Sequence, residues 1–222
     1  ANADRYMYIP QIGLLWIVCF GAADLIKRRA SLKIPVVALG VIVAVASIVL
    51  TVQNLPHWKN SEALFRRAVE VTEHNGMAMN GLGATLAASG RIDEARPYLH
   101  EAVTLMPRLA EARTNLGIIL MQDGDAGGAI AQHREALKRR PDYAAAHINL
   151  GNALAATGQL EEGARHLQQG ISLDPFPWQP YYNLAGIRYQ QGNVDMARRL
   201  LNEALRRAPD PATQMRIRNA MR

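Results

Sequence analysis

The chain has 222 residues, of which 49% are hydrophobic and 20% are charged, and its formal net charge is +6. This length suits one large domain or two smaller ones, and the composition excludes a chain that is disordered throughout. The basic residues are spread over many predicted helices, and the sequence contains no nucleic-acid-binding motif, so we expect no nucleic-acid partner. Cys19 is the single cysteine, which excludes an intrachain disulfide.

Two apolar segments come first along the chain. Residues 9–26 contain one charged residue, Asp24, and residues 34–52 contain none. A helix of about 19 residues covers the roughly 30 Å hydrocarbon core of a bilayer. The loop between the segments is basic, and the positive-inside rule predicts that it lies on the cytoplasmic side. Its basic residues are Lys27, Arg28, Arg29 and Lys33.

We therefore predict a two-helix transmembrane hairpin over residues 1–53, with spans of about 9–26 and 34–52. This hairpin would be integral to an inner, plasma or endoplasmic reticulum membrane and would place everything after Gln53 in the periplasm or lumen. A buried hairpin in a water-soluble domain is one alternative, although residues 34–52 lack a polar stripe to face water. A cleaved signal peptide is another, although no convincing cleavage pattern follows Val52.

Five columns of residues recur every 34 positions in the rest of the chain. The columns are Leu82, Leu116, Leu150 and Leu184; Gly90, Gly124, Gly158 and Gly192; Ala95, Ala129, Gly163 and Ala197; Ala102, Ala136, Gly170 and Ala204; and Pro107, Pro141, Pro175 and Pro209. This period and this pattern are typical of tetratricopeptide repeats (TPR), in which each unit is a helix–turn–helix pair.

Each column has a physical role in such a pair. A leucine followed by a small residue lets the partner helix approach closely. The glycine column ends the first helix in the left-handed conformation, and the proline cannot extend the second helix. The predicted helix pairs are 77–89 with 93–106, 111–123 with 127–140, 145–157 with 161–173, and 179–191 with 195–208.

The sequence thus predicts an all-α fold, in which the hairpin precedes a TPR α-solenoid, a right-handed superhelix, over residues 54–222. A half repeat at 61–73 would lead into full repeats at 76–109, 110–143, 144–177 and 178–211. A polar helix at 212–222 would cap the exposed end of the stack.

The first helices are expected to line the concave face, where the residues before the leucine column are Gly81, Asn115, Asn149 and Asn183. A carboxamide both donates and accepts hydrogen bonds, so a row of asparagines can grip the backbone of an extended polypeptide. The row resembles the asparagine ladder in the TPR superhelix of the O-GlcNAc transferases. The alternative is structural, because asparagine is common in this column without a bound peptide.

Aromatic residues fall into two predicted groups. Tyr182 and Tyr189, together with Asn152, are expected to add contacts on the concave face. A second group, Phe176, Trp178 and Tyr181, is expected to pack between repeats.

No constellation typical of an active site is present. The six histidines never occur at metal-ligand spacing, and there is no nucleophile motif or phosphate-binding glycine loop. We expect His133 and His147 to be satisfied histidines on the helix surface. The sequence therefore predicts no catalytic residue, metal site or cofactor in this chain.

Residues that flank the two apolar segments carry a family resemblance. The segment ADRYMYIP precedes the first apolar segment, and Trp58–Phe65 (WKNSEALF) follows the second. This arrangement is similar to the junction in the transmembrane and TPR-containing O-mannosyltransferases and their bacterial relatives. The resemblance implies that the chain is the C-terminal part of a longer glycosyltransferase that uses a lipid-linked sugar. That family's catalytic acidic residues lie in an early extracytoplasmic loop, so none carries over to this chain.

Two function classes follow. In the first, the chain is the tail of a membrane protein O-glycosyltransferase, and its solenoid holds the polypeptide to be glycosylated. Any contact with a lipid-linked sugar would then involve only the part that precedes Ala1. In the second, the chain is a non-enzymatic cell-envelope scaffold that recruits partner proteins to a membrane complex.

Overall fold

The computed structural model describes residues 33–54 and 60–221, and the regular elements in these residues are all α-helices. The chain divides into two compact units, Ala1–Glu73 and His74–Arg222. The described part of the first unit contains α1 (Lys33–Asn54) and α2 (Ser61–Val71), the latter within the predicted half repeat. The side chain of Asn60 begins α2 by accepting a hydrogen bond of 2.8 Å from the backbone N–H of Ala63.

The predicted transmembrane hairpin is not found in the described residues. Its first segment, 9–26, lies outside them. The second segment, 34–52, lies within α1, on which Ile34 and Leu39 are exposed. Across residues 33–54 and 60–221, no helix combines the length and the apolar character that crossing a bilayer requires.

The described part of the second unit, residues 74–221, consists of four helix pairs followed by a terminal helix. The pairs are α3 (Gly76–Ala88) with α4 (Ile92–Leu105), α5 (Ala110–Gln122) with α6 (Ala126–Arg139), α7 (Ala144–Ala156) with α8 (Leu160–Leu173), and α9 (Gln179–Gln190) with α10 (Val194–Arg207); the terminal helix is α11 (Pro211–Asn219). The predicted pairs agree with these bounds closely at both ends.

The turn inside each pair depends on glycine. The values of φ at Gly90, Gly124, Gly158 and Gly192 are 79°, 84°, 82° and 77°. These values lie in the left-handed region that the sequence predicted for this column. The N–H of the next residue then donates to a carbonyl in the last turn of the first helix, as Arg91 does to Leu86 at 3.0 Å. The backbone conformation therefore accounts for the glycine column.

In the first three pairs the two helices pack closely because the first helix has glycine at the contact, and in the fourth pair Ala185 takes this position. The preceding leucine column is buried throughout, and Leu82 is 0% exposed. A Cβ on Gly83 would lie 2.6 Å from Cγ of Leu99, and a Cβ on Gly151 would lie 2.8 Å from the backbone oxygen of Gly163. Both distances are shorter than van der Waals contact, so the observed approach requires glycine. The role predicted for the leucine–glycine pairs is confirmed.

The connectors between pairs share a contact that the sequence analysis did not predict. The carbonyl of the closing proline lies within hydrogen-bonding distance of the side chain six residues later. The contacts are Arg113 Nε with Pro107 at 2.8 Å, His147 Nε2 with Pro141 at 2.9 Å and Tyr181 Oη with Pro175 at 3.2 Å. Each contact satisfies a carbonyl beyond the end of a helix and fixes the start of the next pair.

The stack has a distinguishable inner side. Each first helix contacts the first helix of the next pair, and the second helices of residues 74–221 make no comparable contact with one another. Helices that lie closer together occupy the inner side of a curved stack, so α3, α5, α7 and α9 line the concave side. We call the solvent-facing side of these four helices the inner face.

Candidate polypeptide-binding surface

The predicted asparagine column lies on the four helices of the inner face. Its members, Gly81, Asn115, Asn149 and Asn183, are all half-buried. A half-buried carboxamide keeps part of its hydrogen-bonding capacity open to a ligand. The surroundings of the three asparagines nevertheless differ.

Two of these asparagines are hydrogen-bonded to an asparagine on the preceding first helix. Asn115 Nδ2 donates to Asn80 Oδ1 at 2.9 Å, which joins α5 to α3. Asn183 Nδ2 donates to Asn152 Oδ1, also at 2.9 Å, which joins α9 to α7. The predicted binding residue Asn152 is therefore tied to the column, and both carboxamides stabilise the contact between repeats.

Asn149 differs because its side chain makes no hydrogen bond to the described residues. Asn115 bonds to a residue 35 positions before it, and the residue 35 positions before Asn149 is Thr114. Thr114 is buried, and its hydroxyl already donates a hydrogen bond of 2.9 Å to the backbone oxygen of Ala110. Asn183 bonds to a residue 31 positions before it, and the residue 31 positions before Asn149 is Ile118, whose side chain has no polar group. The carboxamide of Asn149 is thus the member of the column that remains available to a ligand.

A small cavity of about 190 Å³ opens beside Asn149. It lies between the helix pairs α5–α6 and α7–α8. Its lining residues are Ile118, Met121, Gln122, His133, Asn149 and Asn152. Two predicted binding residues therefore share a concave site, and the lining contains carboxamides, one imidazole and apolar side chains but no formal charge.

His133 overturns the prediction of a satisfied histidine on the helix surface. The residue is 1% exposed, and its Nδ1 is fully enclosed without a hydrogen-bond partner. Burial lowers the pKa of His133 to about 4, so the ring is neutral at pH 7. The ring lies against Gly117, where an added Cβ would approach its Cε1 to 2.5 Å. The imidazole thus occupies the close contact that a core side chain fills in the other pairs.

The predicted aromatic contacts are divided between two places. Tyr189 is 66% exposed on α9. Tyr182 packs edge-on against Trp178, with ring centroids 5.9 Å apart, and the guanidinium of Arg216 lies 5.2 Å from its ring centre. Tyr182 therefore belongs mainly to the contact between α9 and α11, where Ile217 is fully buried.

The aromatic group predicted to pack between repeats is also divided. Tyr181 is buried, as predicted, and Trp178 is half-buried against the same core cluster. Phe176 is 83% exposed, so the prediction that it packs between repeats is wrong. The reason is its position between Pro175 and Pro177, in a connector that runs over the surface and not through the core.

A second histidine contact lies inside the pair α7–α8. The Nδ1 atoms of His147 and His166 are 2.9 Å apart, and the rings are stacked with centroids 5.2 Å apart. Because the Pro141 carbonyl can only accept, neutral His147 carries its proton on Nε2 and receives the Nδ1–H of His166. Burial and the neighbouring His147 lower the pKa of His166. Within the described ranges, no group of three or more His, Cys, Asp or Glu side chains is arranged to hold a metal ion.

Sequence reasoning missed two features for which a signal was present. One is the column Arg113, His147 and Tyr181, whose members are large and polar at the repeat spacing. The other is the buried position of His133, since the equivalent residues in the other pairs are Leu99, Leu167 and Leu201. Aligning the repeats on every column would have indicated both.

Paired helices at a spacing of 34 residues, left-handed glycine turns and an inner face built from first helices together define a TPR solenoid. Comparison with family models agrees. Three models described as tetratricopeptide repeat match residues 76–106, 120–182 and 156–212. The solenoid belongs to the tetratricopeptide repeat family and is a protein-interaction domain.

Curated relatives are similar to part of the chain. The protein O-mannosyl-transferase Tmtc2 of Drosophila melanogaster is 27% identical over 114 residues, which are 51% of this chain and 12% of that protein. Its relative Tmtc1 from the same organism is 30% identical over 119 residues, or 51% of this chain and 13% of that protein. The chain thus matches only about one eighth of the length of these relatives, and the match lies in the TPR region.

Solved TPR structures share the fold. TTC0263, a thermophilic TPR protein of Thermus thermophilus, has a TM-score of 0.63 at 21% identity, with 78% of this chain and 94% of that chain covered. YrrB, described as a TPR protein with an unusual peptide-binding site, has a TM-score of 0.56 at 19% identity, with 89% and 97% covered. At these identities the comparison concerns the fold alone.

Proposed function

We propose that the inner face binds an extended segment of another polypeptide. The observation that carries this proposal is the carboxamide of Asn149, which no described side chain satisfies and which lies beside a cavity on the concave side. A primary amide there can accept from a backbone N–H and donate to a backbone carbonyl of a bound chain. The unusual peptide-binding site described for YrrB gives a precedent for the fold.

The test measures binding of an unfolded polypeptide by the full chain. Fluorescein-labelled, reduced and carboxymethylated α-lactalbumin serves as the probe, with fluorescence anisotropy as the readout. Replacing Asn149 by alanine is expected to weaken binding about three- to tenfold, because its free carboxamide no longer hydrogen-bonds to the guest and no bond between repeats is removed.

The matched control is Asn202→Ala, since Asn202 is exposed on the second helix α10 and lies off the inner face. The control is expected to bind as the wild type does, and circular dichroism should show unchanged helicity in both variants. Equal affinity in Asn149→Ala would contradict the proposal.

We further propose that the bound polypeptide is the acceptor of a membrane protein O-glycosyltransferase, of which this chain is the C-terminal region. Two observations support this proposal. The TPR region is similar to the Drosophila O-mannosyl-transferases Tmtc1 and Tmtc2. The segments around Asp4–Pro10 and Trp58–Phe65 resemble the corresponding junction of that family.

A membrane attachment through residues 9–52 belongs to the same proposal, with the solenoid outside the cytoplasm. The apolar side chains exposed on α1, including Ile34, Leu39 and Ile42, support it because they need an apolar environment. The measurement is resistance to alkaline carbonate extraction, followed by protease treatment of the C-terminally tagged protein in right-side-out inner- or plasma-membrane vesicles. Release of the protein by carbonate, or a tag that is protected in such vesicles, would refute the attachment or its orientation.

A non-enzymatic envelope scaffold is the second candidate. It is favoured by the fact that the curated similarity lies in the TPR region, a domain that by itself names no reaction. The sequence encoded upstream of Ala1 would decide between the glycosyltransferase and the scaffold. Further membrane spans with an acidic first extracytoplasmic loop would support the transferase, and a start codon immediately upstream would support the scaffold.

A further inference from the structure

His133 departs from its own repeat column in a way that the fold does not require. The equivalent residues Leu99 and Leu167 are both 0% exposed and pack against Gly83 and Gly151. His133 packs against Gly117 in the same manner. A leucine at this position would therefore satisfy the packing of the pair α5–α6 as it does in the neighbouring pairs.

The histidine carries a cost that a leucine would not. Its Nδ1 is enclosed without a partner, and a buried polar atom that lacks a hydrogen bond destabilises the folded state. The Nε2 atom makes no hydrogen bond to the described residues either, but it is not fully enclosed, so it is the ring atom that a ligand can reach. Because native proteins satisfy nearly all buried polar groups, a persistent exception indicates a role outside the folding of the free chain.

The cavity beside this ring brings together further polar groups that lack partners. Asn149 has no hydrogen-bond partner among the described residues, and the Oδ1 atom of Asn152 is occupied by Asn183, which leaves the Nδ2 group of Asn152 free to donate. The lining therefore offers both donors and acceptors. Ile118 and Met121 supply the apolar part of the wall.

We propose that this cavity receives one uncharged hydrogen-bonding side chain, a hydroxyl or a carboxamide, of the polypeptide held on the inner face. The inference rests on the proposed polypeptide binding and adds a selectivity to it. A charged guest side chain would enter without a counter-charge, because no lining residue carries a formal charge when His133 is neutral. An apolar guest would leave Nε2 of His133 and the carboxamides unpaired. Uncharged polar groups avoid both penalties.

The size of the cavity agrees with a single side chain. Its volume is about 190 Å³. Pockets for drug-sized ligands span roughly 300–1,000 Å³, so a whole cofactor or metabolite of that kind does not fit. A serine, threonine, asparagine or glutamine side chain on a passing backbone does.

The experiment selects random displayed peptides on the immobilised full chain and compares the wild type with His133→Leu. The variant introduces the residue of the neighbouring repeats, so it is expected to remain folded, and thermal unfolding verifies this. His100→Leu is the matched control, since His100 is exposed on α4 and does not line the cavity.

The wild type and the control are expected to enrich peptides with Ser, Thr, Asn or Gln at one position. His133→Leu is expected to bind those same peptides about three- to tenfold more weakly, as the loss of one hydrogen bond implies, and to enrich apolar residues at that position. In ¹⁵N-labelled wild-type protein, the selected peptide should shift the ring nitrogens of His133.

Two other outcomes would overturn the proposal, and they differ from each other. If His133→Leu enriches the same residues with the same affinity, the cavity is not selective while polypeptide binding stands. If no peptide is enriched over a blank surface by any of the three proteins, polypeptide binding itself is refuted, and the cavity loses its guest with it.

Discussion

The helix pairs α5–α6 and α7–α8 share a backbone arrangement but enclose different side chains where their helices meet. In α7–α8 the buried group is Leu167, which packs against Gly151. In α5–α6 it is His133, which packs against Gly117 and leaves Nδ1 unpaired. These repeats need a small residue on the first helix and a large one on the second, while the chemistry of the large residue is free to serve another purpose.

The largest expected effect concerns pH. His133 has a pKa of about 4 in the folded chain against 6.5 for a free side chain, so the unfolded chain binds the proton more readily. The free energy of unfolding is therefore unaffected by this proton equilibrium above pH 6.5 and falls as the pH drops towards 4, by about 3 kcal/mol in total.

This pH dependence is measured as the difference in free energy of unfolding between the wild type and His133→Leu in urea from pH 7.5 to pH 4. Taking the difference removes the contribution of groups common to both proteins, such as His166. A constant difference across that range would show that the ring is not desolvated in solution.

The second prediction tests the glycine of the leucine-containing pair. In Gly151→Ala, the new Cβ would meet the backbone oxygen of Gly163 at 2.8 Å, and a backbone atom cannot move aside as a flexible side chain can. The free energy of unfolding should fall by about 1–3 kcal/mol, as for other overpacked cores. Gly186→Ala is the control, because an added Cβ there meets nothing within 4 Å, and it should be neutral or stabilising.

A smaller effect separates the two kinds of asparagine on the inner face. Asn115→Ala removes a hydrogen bond to Asn80 and should cost about 0.5–1.5 kcal/mol, whereas Asn149→Ala removes none and should leave stability nearly unchanged. Urea titration of both variants decides this, and equal losses would mean that Asn149 is paired in solution.

The smallest effect concerns the ion pair that joins the second helices of the two compared pairs. Arg134 Nη2 lies 2.8 Å from Glu162 Oε1, with both side chains partly exposed. Glu162→Gln should cost no more than about 1 kcal/mol, and the difference should shrink further at 1 M salt because exposed pairs are screened. A larger, salt-independent loss would indicate that this carboxylate does more than pair with Arg134.

The backbone of the solenoid could be predicted from the sequence because each column reports a local requirement. Gly90 requires a positive φ, and Gly83 lies at a helix contact. The candidate site was predictable only in part. The Asn115 and Asn183 pairs join residues 35 and 31 positions apart, so they depend on side-chain direction and not on the repeat spacing.

The burial of His133 was missed for a related reason. A histidine side chain can lie either on the surface or in the core of a protein. The sequence indicates a core position for His133 only through the leucines at the equivalent positions of the other repeats. The exposure of Phe176 was missed because an aromatic residue between two prolines was assigned by residue type rather than by the path of its connector. The two apolar segments showed no comparable periodicity against which to check them.

The contacts to the closing proline carbonyls have a consequence for the order in which the stack opens. Pro107, Pro141 and Pro175 are each held by a side chain of the following pair, but Met215 occupies the corresponding place after Pro209 and cannot donate a hydrogen bond. Fraying should therefore begin at the last junction, and the backbone amides of residues 212–219 should exchange with deuterium before those of the preceding pairs.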